Sequence, residues 1–429
     1  MNREDPELFG VSPNEGDVGI SRTDRAHDTP GQRSTRWVEG YIVRSLLGSL
    51  GNPPIRITLW TGESICTAAS SPVVDIRIRS FSCLLKLLIN PELYFGDAYS
   101  TGLIEVDGDL VKLMEVTYQG LARMRDSGLR LRLTKWLNRR HSNALADSRE
   151  NIHHHYDIGN EFYKLWLDRQ LVYTCAYFSS PDITLEQAQI AKMDHVCRKI
   201  RLRPEESVVE AGCGWGALAL HMATQYGARV KAFNISHEQI AYARERAHAL
   251  GVEHRVEFIE DDYRNASGRF DAFMSVGMLE HVGPEYYREL RHVIDRCLDR
   301  SGRGLIHSIG RNRPNPLNAW VEKRIFPGAY PPSLREMLEV VEDWDFSVLD
   351  VENLRLHYAL TLKHWLQRFE NASSLVKEMY DERFVRAWRL YLAGSIASFS
   401  NGDMQLFQVL FTRGTNNDIP WTRAYLYDQ

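Results

Sequence analysis

Six cysteines (Cys66, Cys83, Cys175, Cys197, Cys213, Cys297) are scattered through 429 residues, with no C-x-x-C pair and no His-rich spacing beside them. That excludes a disulfide scaffold and a zinc finger, and it suits a reducing cytosol. A net charge of −4 leaves no global basic excess, so a nucleic-acid partner is not expected. Long apolar runs are missing too. The most apolar stretch, FSCLLKLLI from Phe81, is too short to span a bilayer and carries Lys86. The first twenty residues hold no apolar core of the signal-peptide kind. The expectation is a cytoplasmic protein that meets a membrane, if at all, as a peripheral visitor on the inner face. No internal repeat is present.

What is there divides unevenly. Residues 1–35 are polar and read as a flexible tail. Residues 36–120 mix strand-like runs (IRITLW, VVDIRIR) with FSCLLKLLI, which predicts a small α+β domain; GDAYSTGLIEVDGDL reads as turns and a strand. Residues 121–150 form a basic linker. Between Ala122 and His141 lie seven basic side chains, from Arg123 to Arg140, against the single acid Asp126, with Leu and Trp interleaved. It is either a solvated connector helix or an element that meets an anionic membrane surface, where each Lys or Arg contributes about 1 kcal/mol.

From residue 151 to 429 helical and strand-like segments alternate, the pattern of a parallel sheet wrapped by helices. Strands are predicted at 208–210, 230–236, 256–260, 270–276, 303–310, 345–354 and 404–414. The fold class that follows is α/β: a seven-stranded, mostly parallel Rossmann-like sheet with flanking helices, beside the smaller N-terminal domain. Ser236 and Gln239 make an S-x-x-Q capping box.

VVEAGCGWG is the strongest local signal. Gly212, Gly214 and Gly216 let the chain turn tightly after a buried strand that ends in Glu210. With Ala217 the pattern also satisfies a dinucleotide fingerprint, but that reading needs an acid at the end of the second strand, and Asn234-Ile235-Ser236 stands there. An S-adenosylmethionine site fits better, because it asks for no pyrophosphate cradle. Three consecutive histidines, His153 to His155, suggest metal, yet adjacent residues rarely converge on one ion; a lid helix is the reading, with Tyr156, Phe162 and Tyr163 roofing the cofactor. No metal is expected.

HHYDIGNEFYKLWLD, VYTCAYF, EAGCGWG, EDDYR, VGMLEHVG, LIHSIG, WVEKRIFPGAYPPS and HYALTLKHW follow one another in an order that resembles the cyclopropane fatty acid synthases. These are S-adenosylmethionine-dependent methyltransferases acting on acyl-chain double bonds. The likeness covers roughly residues 150–415 and extends more weakly over the N-terminal region. Relatives acting on mycolic-acid chains lack such an N-terminal domain, so its presence looks like the phospholipid-acting branch, and the resemblance implies that residues 36–120 are a lipid-associated domain.

The resemblance implies cyclopropane formation on unsaturated phospholipid, with bound bicarbonate as the base. The positions that resemble its ligands are Glu280, His307 and Tyr358 through side chains, with Cys175 and Ile309 through backbone groups. For the cofactor it implies Tyr173 and Thr174 beside the methionine portion, Glu210, Gly212, Gly214 and Gly216 at the turn, Asn234 and Gln239 near the ribose, and Asp262 at the adenine amine. Family members are often dimers, which makes a homodimer an expectation. Taken singly, His307 and Tyr358 would be core residues, and Glu280 would cap a helix. Three departures stand out: Asn234 where the family usually has Thr, Thr174 where Ser is common, and Ala176 where Gly is common. The insertion after the fifth strand, from Trp320 to Val341, is expected to wall an acyl tunnel. A same-fold enzyme that stops at methylation is the alternative.

Overall fold

A computed structural model of the chain describes residues 30–123, 158–342 and 345–427, with side chains from Trp37 to Ala122 in the first of these segments. The basic linker beyond Arg123, the His153–His155 run and Tyr156 lie outside the described residues.

The N-terminal domain is built on a four-stranded sheet in the order β2-β1-β3-β4. Strands β1 (Ile55–Leu59) and β3 (Val74–Ile78) run parallel; β2 (Ser64–Cys66) and β4 (Ile104–Asp107) flank them antiparallel. Both central strands alternate, with Ile55, Ile57, Leu59, Val74, Ile76 and Ile78 inward. Four helices complete the unit: α1 (Pro30–Ser49), α2 (Phe81–Ile89), α3 (Pro91–Ser100) and α4 (Leu110–Arg123).

Two local expectations need correction. Helix α1 begins at Pro30, inside the stretch read as tail. Gly96–Ser100 are helical rather than turn: the Asn90 side chain accepts the Leu93 N–H, Pro91 opens α3, and Gly96 is small because Trp320 lies against it.

The larger domain holds a seven-stranded sheet in the order β10-β11-β9-β8-β5-β6-β7. Its strands are β5 (Ser207–Ala211), β6 (Arg229–Asn234), β7 (Val256–Glu260), β8 (Phe270–Val276), β9 (Leu298–Gly310), β10 (Phe346–Asn353) and β11 (Gln405–Arg413). Only β11 is reversed, antiparallel to both neighbours. All seven expected strands are present, and β9 alone starts clearly earlier, because Leu298 already pairs with Phe270.

Helices flank this sheet: α5 (Asn160–Lys164), α6 (Leu185–Lys199), α7 (Ala217–Tyr226), α8 (His237–Ala249), α9 (Tyr287–Cys297), α10 (Ala319–Arg324) and α11 (Leu334–Leu338). A hairpin of two long helices, α12 (Arg355–Met379) and α13 (Glu382–Ser400), crosses from β10 to β11. It carries the N-terminal domain. Arg386 donates to the Tyr99 carbonyl at 2.6 Å and the Ile104 carbonyl at 2.8 Å, its guanidinium 4.3 Å from the Tyr99 ring centre. Arg324 and Asp97 pair at 2.9 Å between α10 and α3.

The chain order of the parallel strands reverses between β5 and β8. In open α/β sheets the crevice at the carboxyl ends of such strands is where ligands bind.

Candidate active site

Strand β5 ends in the glycine turn, and two of its glycines are required by space as well as conformation. Gly212 has φ +82°, and a Cβ there would meet the Met278 side chain at 2.9 Å. Gly216, at φ +79°, opens α7 while Phe258 and Ala243 crowd to within 2.8 Å of where its Cβ would be. The Gly212 and Cys213 N–H groups both donate to the Phe233 carbonyl at 3.0 Å, which fixes the turn to β6.

Beside the turn lies a cleft of about 60 Å³ lined by Gly212, Asn234, Asp262, Tyr263 and His281 among others. Asn234 donates to the Gly214 carbonyl at 3.2 Å and to Gln239 Oε1 at 2.6 Å. The capping box is therefore only half made. Ser236 accepts the Gln239 N–H, but the Gln239 side chain turns to Asn234 and leaves its Nε2 buried without a partner. Asp262 accepts from Arg264 through both oxygens, at 2.9 and 3.1 Å, and its carboxylate keeps lone pairs for a further donor.

Glu210 is buried, and burial pushes its carboxyl up to about 8 against the partly offsetting charge of Lys192; its Oε2 has no partner. The cleft is lined by a glycine of the turn, the Asn234 amide and the Asp262 carboxylate, and Gln239, bonded to Asn234, keeps an unsatisfied donor; this donor set fits a polar cofactor such as S-adenosylmethionine.

The second and larger space has a volume of about 580 Å³. Tyr173, Thr174 and Cys175, from the segment before α6, meet Glu280 after β8, His307 and Ile309 on β9, and Tyr358 on α12 along its wall. Tyr173 sits among aromatic rings, 5.3 Å from both Trp166 and Trp365, and its hydroxyl lies 3.0 Å from that of Tyr391. The Thr174 methyl fills the space above Gly277, whose Cβ would fall 2.6 Å from it.

Glu280 accepts the Ile309 N–H at 2.5 Å through Oε1, and Oε2 is buried without a partner. Burial raises its carboxyl to about 7. The Ile309 amide is thus spent on Glu280 rather than left for an anion. His307 is buried and held well below the ordinary imidazole range, first by burial and then by the charges of Lys192 and Lys199; it is neutral, with Nε2 unpartnered. Burial pushes the Cys175 thiol up, so it is no nucleophile. His281, which lines both spaces, is kept neutral by burial, its pKa lowered to about 4.

Phe162 does not roof a cofactor. It is core, 4.9 Å from Trp388 and 5.3 Å from Phe384. Tyr163 packs on Trp215 at 4.9 Å and on Tyr173 at 5.5 Å. From the Trp320–Val341 insertion, Trp320, Val321, Phe326, Ala329 and Pro331 do line the large cavity.

The mycolic acid cyclopropane synthetase family model matches residues 143–409. The chain belongs to that family. It is an S-adenosylmethionine-dependent methyltransferase. The chain is 34% identical to the cyclopropane-fatty-acyl-phospholipid synthase of Escherichia coli, over 84% of this chain and 93% of the relative. It is also 34% identical to a probable fatty acid methyltransferase of Pseudomonas putida, over 87% and 96%. A structure of the mycolic acid cyclopropane synthase CmaA1 complexed with SAH and CTAB superposes with a TM-score of 0.59 at 27% identity, covering 62% of this chain and 98% of that one. Residues 42–126 match a separate domain of unknown function, DUF7884.

Three buried polar groups of this cyclopropane-synthetase site are not singled out by sequence. Lys192 on α6 donates to Thr174 Oγ1 at 3.2 Å, and Gln189 one turn earlier donates to the Thr174 carbonyl at 2.9 Å. Gln408 on β11 reaches His307. Lys192 had a signal: Leu185, Gln189, Lys192, Val196 and Lys199 recur at helical spacing on the inward face of α6.

Proposed function

We propose that the enzyme adds a methylene from S-adenosylmethionine across cis double bonds of unsaturated phospholipid acyl chains, closing a cyclopropane with a bound bicarbonate as base. The observation that carries this reading is the wall shared by Glu280, His307, Tyr358, Cys175 and Ile309. Four separate chain segments bring these residues to one largely apolar cavity, where Glu280 Oε2 and His307 Nε2 are left without partners. Buried polar groups are normally satisfied, so two orphans facing one space argue for a small polar guest.

When bound, the cofactor supplies an electrophilic methyl and bicarbonate a base for the proton that ring closure releases. The protein's part is to hold and to shield. In this reading His307 and Tyr358 donate to the anion, and Glu280, anchored on the Ile309 amide, accepts from its hydroxyl. Tyr173 and its aromatic neighbours offer ring faces to cationic charge, a contact of about 0.5–2 kcal/mol. Apolar walls keep water from an electron-deficient carbon. The same reading gives Asn234 and Gln239 the ribose and Asp262 the adenine amine.

Purified protein with labelled cofactor and vesicles of unsaturated phospholipid tests the reading, the modified lipid being identified by mass spectrometry and proton NMR. Cyclopropane resonances that depend on added bicarbonate support it. A methyl-branched or methylene product supports the alternative, an enzyme that stops at methylation; the Pseudomonas putida relative is named a probable fatty acid methyltransferase. We read the enzyme as a peripheral visitor to the cytoplasmic membrane face and as a homodimer. No helix among the described residues is long and apolar enough to cross a membrane. Vesicle flotation across a salt series tests the Arg123–Arg140 stretch.

A further inference from the structure

The stretch from Leu171 to Phe178, which brings Tyr173, Thr174 and Cys175 to the cavity, belongs to no helix or strand. Its backbone groups still need partners, and side chains supply most of them. The Val172 N–H donates to Asp168 Oδ1 at 2.9 Å, the Ala176 N–H to Thr361 Oγ1 at 3.0 Å and the Phe178 N–H to His357 Nδ1 at 3.0 Å. From α6, the Gln189 amide donates to the Val172 and Thr174 carbonyls at 3.3 and 2.9 Å. Gln189 therefore clamps the backbone. Lys192, one turn on, does something else: it donates to a side chain, Thr174 Oγ1, at 3.2 Å.

Lys192 is 1% exposed, and burial lowers its ammonium to about 8 against the opposing pull of Asp168, Cys175 and Glu210. Its hydrogen bond goes to a neutral hydroxyl and not to a carboxylate. A buried charge held in this way costs stability, and a packed apolar chain would serve the core better. What the ammonium supplies is direction. It has donors only, so it takes a lone pair of Thr174 and cannot receive the Thr174 proton. The threonine methyl is packed over Gly277, which keeps the side chain from turning away. Among the described residues nothing accepts the Thr174 O–H, so the proton is left for a guest. The place suits the cofactor. Gly277 and Met278, which follow β8, touch Thr174 on one side and Gly212 of the glycine turn on the other, so Thr174 stands where the cofactor cleft meets the cavity.

We infer that Lys192 is a positioning residue for the cofactor: its ammonium orients the Thr174 hydroxyl as a donor to the carboxylate at the cofactor's amino-acid end. The inference rests on the proposed reading, in which Asp262 and Asn234 take the adenosine. The methyl must reach the cavity, so the amino-acid end lies beyond the sulfonium, away from Asp262. Of the two charged groups at that end the ammonium only donates, and the carboxylate is the one that accepts from a hydroxyl.

The test uses binding alone and needs neither lipid nor ring closure. The full-length protein is titrated by calorimetry with S-adenosylhomocysteine and with methylthioadenosine, which keeps the adenosine and the sulfur but lacks the amino-acid end. Lys192→Met and Thr174→Val are each expected to weaken S-adenosylhomocysteine by about tenfold, with methylthioadenosine within twofold of wild type. The double variant should bind S-adenosylhomocysteine no more weakly than the worse single variant, because the two residues act as one unit. Lys192→Arg, still a donor-only cation, should stay within threefold of wild type. Lys192→Gln, polar but shorter, should behave as Lys192→Met does and replaces it if methionine does not fold. Equal losses for the two ligands, or losses that multiply in the double variant, would make Lys192 a structural residue and overturn the inference. Unchanged S-adenosylhomocysteine binding in Lys192→Met or in Thr174→Val would overturn it as well. A protein that meets every binding expectation yet forms no cyclopropane would sink only the proposed reaction.

Discussion

The side-chain amide of Gln408 lies 3.0 Å from His307 Nδ1, across the register pair that joins β11 to β9. His307 is neutral, so one ring nitrogen carries its single proton. With the Gln408 N–H donating to Nδ1, the proton sits on Nε2 and points a donor into the cavity. The flipped amide would leave both of its N–H groups buried without an acceptor and turn an imidazole lone pair toward the site. Hydrogen-bond accounting therefore assigns the Nε2–H tautomer. Gln408 is a positioning residue. Gln408→Leu is expected to lower turnover about tenfold to a hundredfold, the usual range for such outer partners. Gln408→Glu should cost more, because a carboxylate pulls the proton to Nδ1. Nitrogen-15 NMR of the His307 ring reads the tautomer directly, and an Nε2–H signal persisting in Gln408→Glu would contradict the assignment.

Glu280 is expected to set the acid limb of activity. Its carboxyl is raised to about 7 by burial, so it is protonated below that pH and ionised above it. Only the ionised form accepts from both Ile309 and a bound anion. Consequently kcat/KM should rise with pH through about 7 and then level, with His307 adding no limb because it is neutral throughout. Glu280→Gln is expected to lose about a hundredfold or more in product formation and to abolish the limb, with cofactor affinity nearly intact. His307→Ala should separate binding from turnover in the same way. Thermal melts at pH 8 complete the check. Glutamine removes the cost of burying an ionised carboxylate, so stability there should not fall. Parallel loss of cofactor binding and melting temperature would make Glu280 a structural residue.

Glu210, on the strand that leads into the glycine turn, is expected to connect cofactor binding to pH. With its carboxyl raised to about 8, the unliganded enzyme holds the proton at pH 7. A cationic cofactor favours the charged form, so binding should expel up to one proton, and affinity should climb with pH until about 8. S-adenosylhomocysteine, which lacks the sulfonium charge, should show a shallower rise. Calorimetry in buffers of different ionisation heat measures the proton count, and Glu210→Gln should remove it. A wild-type count of zero would mean that Glu210 answers to Lys192 alone.

What could be read from the chain follows from where each residue's environment is decided. Strand β8, FDAFMSV, is apolar on both faces because helices cover a parallel sheet, and such a run announces itself. The glycine turn is equally local: Gly212 and Gly216 answer to positive φ and to neighbours packed against them. Gln408 is different. It is one polar residue in an apolar strand, and only the register with β9 tells that it faces His307 and not solvent. Lys192 and Gln189 sit on the inner stripe of an ordinary-looking helix, and their meeting with Thr174 depends on how α6 packs. Gln239 shows the limit of motif reading, since its side chain passes over the cap for Asn234.

The two domains interlock at Gly96 and Trp320, and the contact has no slack. A Cβ on Gly96 would lie 2.4 Å from the indole ring, far inside any real contact, and Trp320 is itself buried under α3. Gly96 sits in α3 at ordinary helical geometry, so alanine there is favoured by helix propensity, by up to about 1 kcal/mol. Overpacking against the indole opposes that gain, typically by about 1–3 kcal/mol. The sum predicts a modest net loss of stability for Gly96→Ala, read as a lower melting temperature. It also predicts a disproportionate fall in turnover, because Gly96 and Trp320 both line the large cavity. Cofactor affinity should hold, since the glycine turn does not line it. Wild-type turnover in Gly96→Ala would show that substrate does not reach the wall formed by Gly96 and Trp320.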